Sequence, residues 1–310
     1  MNTRFGISRT VVINSREDTI DSKVLNPFKK AKVRSIGIIG AGTLGTQITA
    51  HLLYCGCDVI LKTRSPDKIE QIASRVTHVL DKYPNVHVEK QIANFEVVTD
   101  YEALNICDAV IEAVVEDVQV KKEVLASASH SCPDVDFFFT NSSSICIDNI
   151  APSLRDPSSF LGYHLFNPVY KMRLVEIVIG DATGEKAISA AMKVAELMDK
   201  DAVIVQDSPG FIVNRLLLRQ INDAARMLEQ NVSTIEDIDK AVRLGLNHPL
   251  GPFQLADLIG LDVCLSILRS LEQSAGWGSH PPSPLIEWMV AKGKLGRKSG
   301  EGFYKYSNGN

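Results

Sequence analysis

Hydrophobic positions in the first two thirds of the chain fall into short apolar runs. These are separated by longer stretches in which apolar residues recur every three or four positions. Val33–Ile39 and Asp58–Leu61 are two such runs. Between them lie Gly40-Ala41-Gly42-Thr43-Leu44-Gly45 and a segment of helical periodicity reaching Leu53. This predicts strand, glycine turn, helix, strand. Further strands are expected at Phe95–Thr99, Ala109–Ala113, Phe137–Thr140, Phe160–Phe166, Leu174–Ile179 and Ala202–Val205. A helix is expected over Glu185–Met198, and two or three amphipathic helices over 66–93. Short strands alternating with helices predict an α/β fold with a Rossmann-type, doubly wound, mostly parallel sheet. After Gln206 only helical periodicity and loops remain, and Ser208-Pro209 reads as a helix N-cap with a first-turn proline. The expected division is an extension over 1–32, a sheet domain over 33–206 and an all-helical C-terminal domain over 207–310.

Composition narrows the classes. Of 310 residues, 45% are hydrophobic and 23% charged, and the net charge is −4. No long basic run points to nucleic acid, and no apolar stretch has membrane-spanning length. The six cysteines (55, 57, 107, 132, 146 and 264) lack the spacing of a zinc site. They read as reduced thiols of a cytoplasmic protein, with no metal expected. Residues 1–16 carry Arg4, Arg9 and Arg16 and no acid, a composition shared with organelle transit segments. A plain extension before the first domain is the preferred reading.

The glycine turn stands where dinucleotides bind, after a strand and opening a helix. Gly40 would allow the tight turn, Gly42 the approach of a pyrophosphate, and Gly45 close packing of helix on sheet. The helix N-terminus, at Thr43 and Leu44, would offer N–H groups to phosphate. An acid at the end of the second strand would mark NAD by binding the ribose 2′-hydroxyl. This chain instead reads Leu61-Lys62-Thr63-Arg64-Ser65. Thr63 and Ser65 can donate hydrogen bonds and Arg64 can pair with a phosphate, so NADP is favoured over NAD.

Two ionisable residues interrupt apolar strands. His164 shares a strand face with Gly162 and Phe166, and Glu176 with Leu174 and Val178. A lone buried carboxylate is costly, so Glu176 needs a partner. The connection 167–173 keeps the two strands close, and a His164–Glu176 hydrogen bond is the simplest solution, giving a base oriented by a carboxylate. The alternatives are a structural core histidine and a Glu176 paired with Lys171 or Arg173. Asn141-Ser142-Ser143-Ser144 lies at the C-terminal end of a strand, where open α/β sheets bind ligands. Asn214 falls on an apolar helical stripe with Gly210, Val213, Leu217 and Ile221. Ser143 and Asn214 could both donate to an oxygen beside His164. A polar turn and an interdomain hydrogen bond are their plainer readings.

Taken together, GAGTLG, EAVVEDVQVKKEVL, TNSSS, GYHLFNPV…MRLVEIV, DSPGFIVNRLL, HPLGPFQLADLIGLD and GRKSGEGFYKY resemble the L-3-hydroxyacyl-CoA dehydrogenase family from about residue 33 to 307. The resemblance implies hydride transfer between a nicotinamide and a 3-hydroxyacyl thioester, with His164 as acid/base and Glu176 as its partner. It implies that Ser143 and Asn214 bind the reacting oxygen, that Glu116, Lys121 and Asn141 lie on the cofactor side, and that the helical domain forms a homodimer. Two departures stand out. Thr63 replaces the family's aspartate, and 66–93 is shorter than the family's hairpin, which contacts coenzyme A. An acyl-carrier-protein thioester or a free hydroxy acid is therefore an alternative substrate. A non-catalytic, crystallin-like protein is the alternative of another class. Relatives with a catalytic lysine are disfavoured, because Gly210-Phe211-Ile212-Val213-Asn214 contains none.

Overall fold

The computed structural model describes residues 34–273 and 281–306. The expectations for residues 1–32 lie outside the described residues. Eight strands form one sheet among them: β1 (Ser35–Ile39), β2 (Asp58–Lys62), β3 (Phe95–Val98), β4 (Ala109–Glu112), β5 (Phe137–Thr140), β6 (Phe160–Leu165), β7 (Leu174–Ile179) and β8 (Asp201–Gln206). Their spatial order is β3-β2-β1-β4-β5-β6-β7-β8. Every neighbouring pair is parallel except β6–β7. Order reverses beside β1, and a ligand crevice is expected there, beyond the strand ends.

Helices cover both faces: α1 (Thr43–Tyr54), α2 (Ile69–Leu80), α3 (Val88–Ile92), α4 (Val118–Ser131), α5 (Ile147–Ile150) and α6 (Glu185–Leu197). In β1, β4, β5, β6 and β7 the strand residues are apolar on both sides because both sides are largely buried, whereas β8 leaves Val203 and Ile204 exposed. Ile38, Leu61 and Tyr163 pack towards α1, α2 and α6, whereas Ile39, Val110 and Phe138 pack towards α4 and α5. The remaining helices are α7 (Val213–Glu229), α8 (Ile235–Gly245), α9 (Pro252–Ile259), α10 (Leu261–Glu272) and α11 (Pro284–Ala291). They share their own core around Leu218, Ile221, Phe253, Leu265 and Ile286. The GRKSGEGFYKY stretch folds back on this bundle. The N–H groups of Phe303 and Tyr304 donate to Asp257, as does the Tyr306 hydroxyl, and the Tyr304 hydroxyl donates to Asp239. No helix among the described residues is long and apolar enough to cross a membrane.

One element expectation fails. Ser208-Pro209 does not begin a helix, because Gly210 and Phe211 have φ of +70° and +52°. Left-handed residues cannot continue a right-handed helix, so α7 starts only at Val213. The left-handed Phe211 costs about 1–2 kcal/mol. Its buried ring lies against His164, with ring centroids 5.5 Å apart.

Candidate active site

β6 and β7 place His164 directly opposite Glu176 in their antiparallel register. Residues opposite one another in such a pair point to the same face. His164 Nδ1 lies 2.7 Å from Glu176 Oε2, and both side chains are buried. The rings of Phe166 and Phe211 flank the imidazole at 4.5 and 5.5 Å. Glu176 Oε1 accepts from the N–H groups of Ile212 and Val213, each at 3.0 Å. Both carboxylate oxygens are therefore satisfied, which burial requires. The late start of α7 is what frees those two N–H groups. The alternative partners are engaged elsewhere: Arg173 pairs with Asp201 at 2.9 Å, and Lys171 lies over the Tyr170 ring.

The polar turn after β5 bonds to the chain neighbours of this network, Leu165 and Asn214. The Asn214 side-chain amide donates to the Ser143 carbonyl at 3.1 Å. Asn141 Oδ1 accepts from the N–H of Leu165, the residue next to His164. Glu116 Oε1 accepts from the Ser142 hydroxyl and from the N–H groups of Ser143 and Ser144, at 2.7–2.8 Å. Its other oxygen lies 3.4 Å from Lys121 Nζ. Burial acts to raise the Glu116 carboxyl, but Lys121 and the serine-turn donors outweigh it and hold the group below the usual carboxylate range.

Lys121 is itself buried, with its ammonium 2.9 and 3.0 Å from the two oxygens of Glu112. Glu112 also accepts from the Thr140 hydroxyl and the Val114 N–H. The sequence reading missed Glu112. The signal was present, since it is an acid inside the apolar run Ala109–Val115, the same cue that exposed Glu176.

The glycine turn follows β1. Gly40 has φ +113°, and a Cβ there would stand 2.6 Å from the Ala113 carbonyl oxygen. A Cβ on Gly45 would overlap the Gly40 carbonyl. Gly42 is different: its φ of −73° suits any residue, and an added Cβ meets nothing within 4 Å. The fold alone does not need glycine at 42, whereas a phosphate running against the backbone does. Gly42 also caps α1 without a side-chain acceptor, leaving the N–H groups at Thr43, Leu44 and Gly45 for a ligand. These features fit a dinucleotide.

At the end of β2, Thr63 is buried and its hydroxyl accepts from the Ser65 N–H at 3.2 Å, while Arg64 is exposed. Lys62 Nζ sits 3.9 Å over the Tyr101 ring, and burial pushes its ammonium pKa down, opposed by Asp100. Cys146, Asp148 and Asp207 could bring three ligand atoms together. There the Cys146 thiol donates to Asp207 at 2.7 Å, and burial raises it to about 11.

Comparison with known proteins identifies the family. The family model described as "3-hydroxyacyl-CoA dehydrogenase, NAD binding domain" matches residues 35–208, and the C-terminal domain model of the same family matches 210–306. The chain is 37% identical to a 3-hydroxybutyryl-CoA dehydrogenase of Clostridioides difficile, covering 88% of this chain and 99% of that one. It is 34% identical to the mitochondrial hydroxyacyl-coenzyme A dehydrogenase of Homo sapiens, covering 90% and 93%. The crystal structure of (S)-3-hydroxybutyryl-CoA dehydrogenase from Ralstonia eutropha superposes with a TM-score of 0.84 at 34% identity, covering 89% of this chain and all of that one. With both family domains matched in order along one chain, the protein belongs to the 3-hydroxyacyl-CoA dehydrogenase family and is a nicotinamide-dependent oxidoreductase.

Proposed function

We propose that the chain interconverts a 3-hydroxyacyl thioester and its 3-keto form. The bound nicotinamide supplies or accepts the hydride. His164 handles the proton: Nδ1 donates to Glu176, so Nε2 is left to take the hydroxyl proton during oxidation and return it during reduction. Glu176 offsets the positive charge on the imidazole, and the N–H groups of Ile212 and Val213 keep the carboxylate in place. The Ser143 hydroxyl and the second N–H of the Asn214 amide donate to the reacting oxygen. Glu116, Lys121 and Asn141 line the nicotinamide side, and Gly40, Gly42, Thr43, Leu44 and Gly45 hold the diphosphate. The observation that carries this reading is the 2.7 Å His164–Glu176 contact, tied at its far end to the start of α7.

The cofactor reading is NADP over NAD, supported by Thr63 where an acid would bind the 2′-hydroxyl and by the exposed Arg64 beside it. The substrate reading is a coenzyme A thioester, as in the names of the relatives, with a carrier-protein thioester or a free hydroxy acid as the competing carriers. The division of labour follows: 33–206 binds the dinucleotide, and 207–310 covers the substrate and forms a homodimer. Exposed Leu216, Leu244 and Leu246 on the helical part support self-association. Steady-state turnover of acetoacetyl-CoA, the matched carrier-protein thioester and free acetoacetate, each with NADPH and NADH, tests the whole reading. Turnover should be greatest with the coenzyme A thioester and NADPH. No turnover of any thioester would leave only a dinucleotide-binding protein.

A further inference from the structure

The N–H of Gly40 donates to the Lys62 carbonyl at 3.1 Å. The glycine turn and the end of β2 therefore form one continuous ledge, the place where a Rossmann fold holds the adenosine ribose. Arg64 stands on this ledge from β2. A second guanidinium reaches it from elsewhere. Arg75, midway along α2, donates through Nη2 to the Ala41 carbonyl at 2.9 Å. The buried seam Ile72, Val76 and Leu80 fixes the helix against the sheet and so fixes where Arg75 emerges. Arg75 is exposed and a guanidinium has five N–H donors, so one bond to a carbonyl leaves donors available.

The charge balance of the ledge is uneven. Arg64, at the end of β2, and Arg75, bonded to the glycine turn, both belong to it, and no salt bridge to a carboxylate forms at either among the described residues. Holding a backbone carbonyl requires a donor but no charge. Cations gathered without an acid are relieved by an anion.

We propose that Arg75 is a specificity-determining residue for the cofactor. Together with Arg64, it brackets a phosphate monoester on the adenosine ribose, the group that distinguishes NADP from NAD. This rests on the NADP reading above and extends it to a residue on a different element. Arg75 arrives from α2, so the site depends on the docking of that helix as well as on the β2 loop.

The test is equilibrium binding of NADPH and NADH, followed by titration calorimetry, for the wild type and for Arg64→Ala, Arg75→Ala and Arg75→Gln. Glutamine keeps a donor for the Ala41 carbonyl and removes the charge, which separates anion binding from pinning of the loop. The expected result is tighter binding of NADPH by the wild type. Arg75→Gln and Arg75→Ala should each lower the NADPH-to-NADH affinity ratio by about tenfold or more, the size of a lost hydrogen bond to a charged group. NADH affinity should stay near that of the wild type. If the wild type prefers NADPH and Arg75→Gln leaves the ratio unchanged, the assignment to Arg75 is overturned while the NADP reading stands. Equal losses for both cofactors would likewise overturn it, by assigning Arg75 to the diphosphate or the loop. A wild type that prefers NADH removes both.

Discussion

Glu112 and Glu176 lie in the same sheet, are similarly buried and are both fully hydrogen-bonded, yet their partners differ in kind. Glu112 closes on Lys121, and Thr140 and Val114 take up its remaining capacity. Its partner is a buried ammonium that also reaches Glu116. Glu176 closes on an imidazole that uses only one nitrogen for the contact. A buried pair with a fixed cation gives an anchor. A buried pair with histidine gives an anchor that still holds a proton in reserve. The lesson is that a carboxylate within an apolar strand marks a costly site, and its partner decides whether that site only anchors the fold or can also serve the proposed acid/base role.

The largest effect that could break this contrast is in turnover. His164→Gln should lower kcat by about 10²–10⁴-fold and leave dinucleotide affinity unchanged by calorimetry. Near-normal turnover would place the acid/base elsewhere. On the other side of the comparison, Lys121→Met should cost about 3–5 kcal/mol of stability, because it strands Glu112 as a buried unpaired charge. Urea midpoints measure this, and an unchanged midpoint would show that Glu112 does not depend on its lysine. Two glycines sharpen the same distinction between fold and ligand. Gly45→Ala should destabilise by about 1–3 kcal/mol, since its Cβ meets the Gly40 carbonyl. Gly42→Ala should leave the melting temperature essentially unchanged and weaken dinucleotide binding. A reversed pattern would mean that the turn is purely structural. The smallest effect concerns pH. The Glu116 carboxyl is held below its ordinary value of 4.5, so its contribution to stability is present above that value and is lost as pH falls through the depressed one. The stability gap between wild type and Glu116→Gln should narrow on acidification, and a gap that widens would contradict the assigned direction.

Much of this architecture was legible in the sequence because the signals are local. Strand runs, the glycine turn and the facing positions of His164 and Glu176 depend on period-two alternation and on residues a few places apart, and the strands fall within two residues of expectation. Fifteen candidate site residues fall on the glycine turn, the β2 end, the His164–Glu176 pair and the polar groups bonded to their chain neighbours or to the serine turn. Where the reading failed, the deciding interaction was distant or conformational. Ser208-Pro209 has the composition of a helix start, but the left-handed Gly210 and Phe211 delay α7. Arg75 is an ordinary exposed helix residue until α2 docks and carries it to Ala41. Glu112 was visible by the rule that found Glu176, but its lysine lies one loop and one helical turn away, outside any strand pattern.

One oxygen of Glu176 steadies the imidazole, and the other is capped by backbone from beyond the last strand. A fragment ending at Gln206 would retain every group that cradles a dinucleotide and yet leave this carboxylate half solvated and free to turn. Such a piece should bind its coenzyme and transfer nothing, because the proposed proton carrier is aimed from outside the sheet.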